Sequence, residues 1–158
     1  MGLFRLDEVF QLAMKAEETG QRLYEAVAAE AKDGQVADLC RKLAGAEGKH
    51  FLKFQAMKQA LPTNIEARKL SLDDLDFVQS LVKGRVVPDE VEALRIARSH
   101  SLPEVLDIAI QAERDSQAFY GQILDGIEAK DAAAIREIIA EERHHEEMLV
   151  EARRKAGT

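Results

Sequence analysis

The chain has 158 residues, a formal charge of −7 at neutral pH, one cysteine, no tryptophan and three prolines. That length can bury one sizeable core, and the negative balance excludes the basic footprint of a nucleic-acid binder. A lone Cys40 excludes an intrachain disulfide, a zinc ribbon or an iron-sulfur cluster and fits a reducing cytoplasm, and no apolar run approaches a membrane span.

The N-terminal stretch MGLFRLDEVF lacks the apolar core of a signal peptide, and Leu6 stands where a myristoylation motif wants Ser or Thr. A soluble, cytoplasmic protein without a membrane partner is expected. High Ala, Glu, Leu and Lys content favours an all-helical fold. A first helix is predicted over residues 6–32, ending at Asp33-Gly34, where Gly can take the left-handed cap. Its apolar seam runs Phe10, Ala13, Glu17, Gly20, Tyr24, Val27, Ala31. A second helix is predicted over 35–61, stopped by Pro62, with the seam Cys40, Leu43, Glu47, His50, Phe54, Met57, Leu61. Both seams step by alternate threes and fours, so each lies on a face that packs inward.

Residues 62–101 are too many for a tight turn. Ser71-Leu72-Asp73-Asp74 can cap a short helix to Lys83, and residues 88–100 can form another that ends at His100. Such a crossover can run the length of a bundle and make the second and third long helices parallel; it could also let hairpins exchange between subunits. Ser101-Leu102-Pro103-Glu104 then reads as a capping box that opens a third helix to about residue 128. Its seam is Leu106, Ala109, Glu113, Ser116, Tyr120, Ile123, Ile127. A fourth helix over 131–155 carries Ile135, Ile138, Glu142, His145, Leu149, Ala152, and closes on Arg153, Arg154 and Lys155, which suit a helix C-terminus. The expected architecture is one all-α domain, a four-helix bundle of two hairpins, 6–61 and 102–155, joined by the crossover.

A helical hairpin brings together residues equally far from its bend. Glu17 and Glu47 are centred on residue 32, and Glu113 and Glu142 on residue 127 or 128, each beside its predicted turn. The hairpins also resemble copies. Ala13, Ala16, Glu17 and Tyr24 recur 96 residues on as Ala109, Ala112, Glu113 and Tyr120, and Glu47 and His50 recur 95 residues on as Glu142 and His145.

An ionised carboxylate in a buried seam costs on the order of several kcal/mol unless its charge is compensated. Four such seam glutamates call for a common explanation, and a pair of metal ions supplies one. Glu-x-x-His puts an oxygen and an imidazole nitrogen on one helix face, one turn apart. Glu17, Glu47, Glu113 and Glu142 with neutral His50 and His145 carry a charge of −4, which balances two divalent iron or manganese ions. Glu141-x-x-His144 has the same spacing, but the seam and the repeat both select Glu142 and His145. Cys40 reads as core filler, and Ser116 as a small residue that leaves space.

The stretches AMKAEETGQRLY, LAGAEGKHFLKF, AIQAERDSQAFY and IIAEERHHEEML resemble the rubrerythrin-like branch of the ferritin-like superfamily. The resemblance implies a ferritin-like fold with Glu17, Glu47, His50, Glu113, Glu142 and His145 as di-iron ligands, Glu47 and Glu142 as bridges, and Tyr24 and Tyr120 bonding to ligand carboxylates. Bacterioferritins share the six-ligand pattern. Two departures stand out. Ser116 occupies the place of an additional glutamate in rubrerythrins proper, and one cysteine cannot build their rubredoxin-like domain, so electrons are expected from a separate donor.

The leading functional expectation is a di-iron enzyme that reduces hydrogen peroxide or dioxygen. The alternatives are a ferroxidase that handles iron, and a binding or regulatory bundle held together by metal. Manganese or zinc could replace iron in the same ligand set. A homo-oligomer, with a dimer favoured, is expected; iron storage would require a closed shell of many subunits, so a dimer would argue against it.

Overall fold

A computed structural model describes residues 2–62, 69–72, 78, 90–127 and 129–157. Among the described residues the elements in chain order are β1 (Gly2–Arg5), α1 (Leu6–Glu30), α2 (Gly34–Gln59), β2 (Lys69–Leu72), α3 (Glu90–Ser99), α4 (Leu102–Leu124) and α5 (Ala129–Ala156). The four long helices are the four predicted from the seams. Helix α1 packs against α2 and α4 against α5, while α3 lies along α1.

Local chemistry sets the helix ends. At the first bend Ala31 is extended, and the Asp33 carboxylate accepts from the backbone N–H groups of Gln35 and Val36 at 2.8 and 3.2 Å. Gly34 therefore opens α2 rather than forming a left-handed cap on α1; the only glycine with positive φ among the described residues is Gly157. An aspartate that satisfies two orphan N–H groups of the next helix makes the turn without a left-handed residue. At α4 the expected capping box is present: Glu104 accepts from the Ser101 N–H at 2.7 Å, and Ser101 Oγ accepts from the Glu104 N–H at 3.4 Å.

The crossover departs from expectation at its start. Ser71 and Leu72 do not open a helix but belong to β2, which pairs antiparallel with β1, Leu3 opposite Ser71 and Phe4 opposite Leu70. The ladder satisfies backbone groups that a helix N-terminus would leave open, and it outweighs the weak capping preference of Ser71. Residues 73–77 and 79–83 of the predicted helix lie outside the described residues. The second predicted crossover helix is α3; His100 follows it, with Nδ1 3.1 Å from the Ile96 carbonyl oxygen.

Helix directions follow from side-chain pairs. Tyr24 of α1 bonds Glu113 of α4, and Glu17 of α1 bonds Tyr120 of α4, so numbers rise on one helix as they fall on the other. Helix α1 thus runs antiparallel to both α4 and α2, and α2 and α4 are parallel, as a long crossover requires. The seams form the interior in two apolar clusters. One holds Phe10, Phe54, Tyr120, Ile135 and Ile138; the other holds Tyr24, Val27, Cys40, Leu43, Leu106 and Leu149. In the first, the Phe54 ring lies 5.0 Å from Tyr120 and 6.4 Å from Phe10, centre to centre, in tilted aromatic packing. Between the clusters along the seams lies a layer of buried charge. No described helix is long and apolar enough to cross a membrane.

Candidate metal centre

Six ionisable side chains are buried in this layer: Glu17, Glu47, His50, Glu113, Glu142 and His145, none more than 6% exposed. They are the six singled out in the sequence, one glutamate from α1, one from α4, and a Glu-His pair from each of α2 and α5. Their donor atoms fall into two groups, each within 4.8 Å: Glu17, Glu47, His50 and Glu142 in one, and Glu47, Glu113, Glu142 and His145 in the other. Glu47 and Glu142 belong to both. Two adjacent four-donor sets that share two carboxylates are the arrangement in which a pair of cations could be bridged.

Glu142 is the hub. His50 Nδ1 lies 3.1 Å from its Oε1, and His145 Nδ1 lies 3.1 Å from its Oε2. The same two nitrogens stand 3.5 Å from Glu17 Oε2 and Glu47 Oε1 respectively. The imidazoles face each other with ring centres 5.9 Å apart. Tyr120 donates to Glu17 Oε1 at 2.5 Å, and Tyr24 donates to Glu113 Oε1. The two tyrosines thus reach across the α1–α4 interface reciprocally, each bonding the glutamate of the opposite hairpin.

The electrostatics follow from burial. Burial is the main cause that drives Glu17, Glu47 and Glu113 well above the ordinary carboxyl range, and neighbouring carboxylates push the same way. Burial acts upward on Glu142 too, but hydrogen bonds from Glu113, His145 and His50 outweigh it and hold its carboxyl below the usual range. Burial opposes charging of His145, yet its hydrogen bond to Glu142 and the nearby Glu47 carboxylate raise it to about 9, and His50 is raised in the same manner through Glu142 and Glu141. Both tyrosine hydroxyls are raised, by burial first and then by Glu113 or Glu17, and stay proton donors. The chain by itself therefore gathers protons at this layer, in the place where cations would balance four carboxylates.

Three observations test whether these residues fit such cations. Glu17 Oε2 and Glu47 Oε1 are buried with no hydrogen-bond partner among the described residues, a cost that a cation removes. Carboxylates and imidazoles are the donor chemistry of iron and manganese. Gly20 keeps a place clear, since a Cβ there would stand 3.1 Å from Glu47 Oε2.

Of the other sequence candidates, His144 points outward with its side chain 65% exposed and its Nδ1 3.7 Å from Glu147, so it takes no part in the layer. Cys40 is buried, and burial pushes its thiol up to about 11, which removes any reactive thiolate near neutral pH. Glu141 was not singled out by the seam, yet its Oε2 accepts from His50 Nε2 at 2.6 Å. The Glu141-x-x-His144 spacing offered it as a ligand rather than as a partner of His50; the signal for the latter is a break in the repeat, since 95 residues earlier stands Ala46.

Comparison with known proteins agrees with this geometry. A crystal structure from Thermotoga maritima, provisionally described as a ferritin-like diiron-carboxylate protein, is similar to this chain with a TM-score of 0.81 and 26% identity, and the match covers 99% of each chain. Comparison with curated proteins finds no match. The family model described as Rubrerythrin matches residues 8–152, nearly the whole length over which the two hairpins extend. The chain belongs to the rubrerythrin family.

Proposed function

We propose that this protein binds two iron ions between its hairpins and reduces hydrogen peroxide, or dioxygen, with electrons from a separate donor. The observation that carries the proposal is the pair of four-donor groups that share Glu47 and Glu142, with a buried orphan oxygen on Glu17 and another on Glu47. Glu17, Glu47, His50 and Glu142 would hold one ion, and Glu47, Glu113, Glu142 and His145 the other. Two ferrous ions there would supply one electron each, which with two protons converts one peroxide into two waters.

The chain's own residues prepare that chemistry. Tyr120 and Tyr24 fix the outer carboxylates of Glu17 and Glu113 by donating to one oxygen of each, and the second oxygen of Glu17 stands 3.5 Å from His50 Nδ1. The apolar clusters above and below restrict water, which strengthens every electrostatic interaction in the layer. Gly20 lets the Glu47 carboxylate approach α1 closely, since a Cβ there would stand 3.1 Å from Glu47 Oε2.

The test is anaerobic. The protein is loaded with ferrous iron, and one equivalent of peroxide is mixed in while oxidation is followed optically. Oxidation much faster than that of free ferrous iron, repeated when a reductant is supplied, is expected. Oxidation at the rate of free iron would refute peroxide reduction, and rapid oxidation by dioxygen without peroxide turnover would favour iron handling.

A further inference from the structure

The two halves of the centre are not equivalent, because the repeat that relates them is broken at one contact. His50 is wholly buried, and its two ring nitrogens have different surroundings. Nδ1 faces Glu142 and Glu17, and Nε2–H donates to Glu141 Oε2 at 2.6 Å. Lys53, one turn beyond His50 on α2, holds the other oxygen of Glu141 with Nζ at 3.6 Å. Glu141 is therefore drawn from α5 towards α2 by both oxygens. His145 has the same inward arrangement, with Nδ1 facing Glu142, Glu47 and Glu113. Its repeat-related neighbour, however, is Ala46, which has no acceptor to offer, and no described side chain bonds His145 Nε2.

We propose that Glu141 is a positioning residue: by fixing the ring of His50 through Nε2, it makes the metal position of Glu17, Glu47, His50 and Glu142 tighter than that of Glu47, Glu113, Glu142 and His145. This rests on the two-metal reading above. A carboxylate behind an imidazole selects the tautomer with its lone pair on the opposite nitrogen, removes ring rotation and raises the basicity of the ligating atom. All three effects act on His50 and are missing at His145. The two positions then fill in order, the His50 position first.

The experiment is an anaerobic titration of the metal-free protein with cobaltous chloride, read by calorimetry and by the visible absorption of bound cobalt. Wild type is expected to bind two ions in two resolved steps. Glu141→Ala is expected to weaken the tighter step by about 10- to 100-fold and leave the weaker one unchanged. Glu141→Gln, which keeps an acceptor without the charge, is expected to recover part of that loss. Glu17→Ala identifies the step, since it removes a ligand of the His50 position alone. Glu141 is half exposed, so unchanged circular dichroism of the metal-free variants is expected to show that the fold is retained. Equal weakening of both steps in Glu141→Ala, or no weakening, would overturn the positioning role. Wild type that binds no cobalt would overturn the two-metal reading and the inference together.

Discussion

Removing one hydroxyl separates a tyrosine that organises a metal site from one that merely fills the core. Tyr120 is fully buried, and its hydroxyl donates to Glu17 Oε1 at 2.5 Å, while Glu17 Oε2 has no hydrogen-bond partner among the described residues. In the metal-free protein, burial keeps the Glu17 carboxyl raised well above its usual range, which favours its protonated form. The bond lost in Tyr120→Phe is then neutral, and its loss costs about 1 kcal/mol of stability. With metal bound, Glu17 is an anionic ligand, and a hydrogen bond to a charged group contributes about 1.5–3 kcal/mol. The difference, about 0.5–2 kcal/mol, appears in metal binding as a loss of roughly 2- to 30-fold at the His50 position. The assay pairs a thermal melt of the metal-free variant with a calorimetric metal titration. If Tyr120→Phe lowers the melting temperature but binds metal as tightly as wild type, Tyr120 is an ordinary core aromatic and the reasoning fails.

Metal binding is expected to tighten as pH rises through neutrality and to release protons, because Glu17, Glu47 and Glu113 are raised by burial and His145 is raised to about 9; calorimetry in buffers of different ionisation enthalpy counts them. The same groups make the metal-free fold lose stability as pH rises. The unfolded carboxyls ionise above about 4.5 while the folded ones hold their protons, and the contribution of His145 is present below 6.5 and lost as pH rises through about 9. Melts of the metal-free protein from pH 5 to 9 should therefore show a falling midpoint, and a rising one would contradict the proton-loaded layer. Gly20→Ala sets a Cβ 3.1 Å from Glu47 Oε2 and should reduce metal content per chain at both positions, since Glu47 is shared, with little change in helicity. Asp33→Ala removes the acceptor for two N–H groups of α2 and should cost about 1 kcal/mol in a denaturant titration without altering metal content.

The four long helices were legible because a 3.6-residue period runs through more than twenty residues in each, with a stop at Pro62 and a capping box at Ser101. Shorter signals misled. Gly34 suggested a left-handed cap, but Asp33 solves the bend from the other side. Ser71 suggested a helix start, whereas four residues of β2 take their structure from β1, some seventy positions away, which no local pattern in either segment announces.

The buried layer divides in the same way. Its six members could be named from the sequence, because a charged residue in an apolar period is conspicuous and the turns bring each pair level. That Glu142 is the hub, that the tyrosines cross between hairpins, and that Glu141 turns back to His50 depend on how α5 lies against α2 and α4 against α1. Periodicity along one helix specifies which face turns inward and at what height. The rotation and separation of neighbouring helices, set by the packing of Phe10, Phe54, Ile135 and Leu149 in the flanking clusters, decide which atoms on those faces meet.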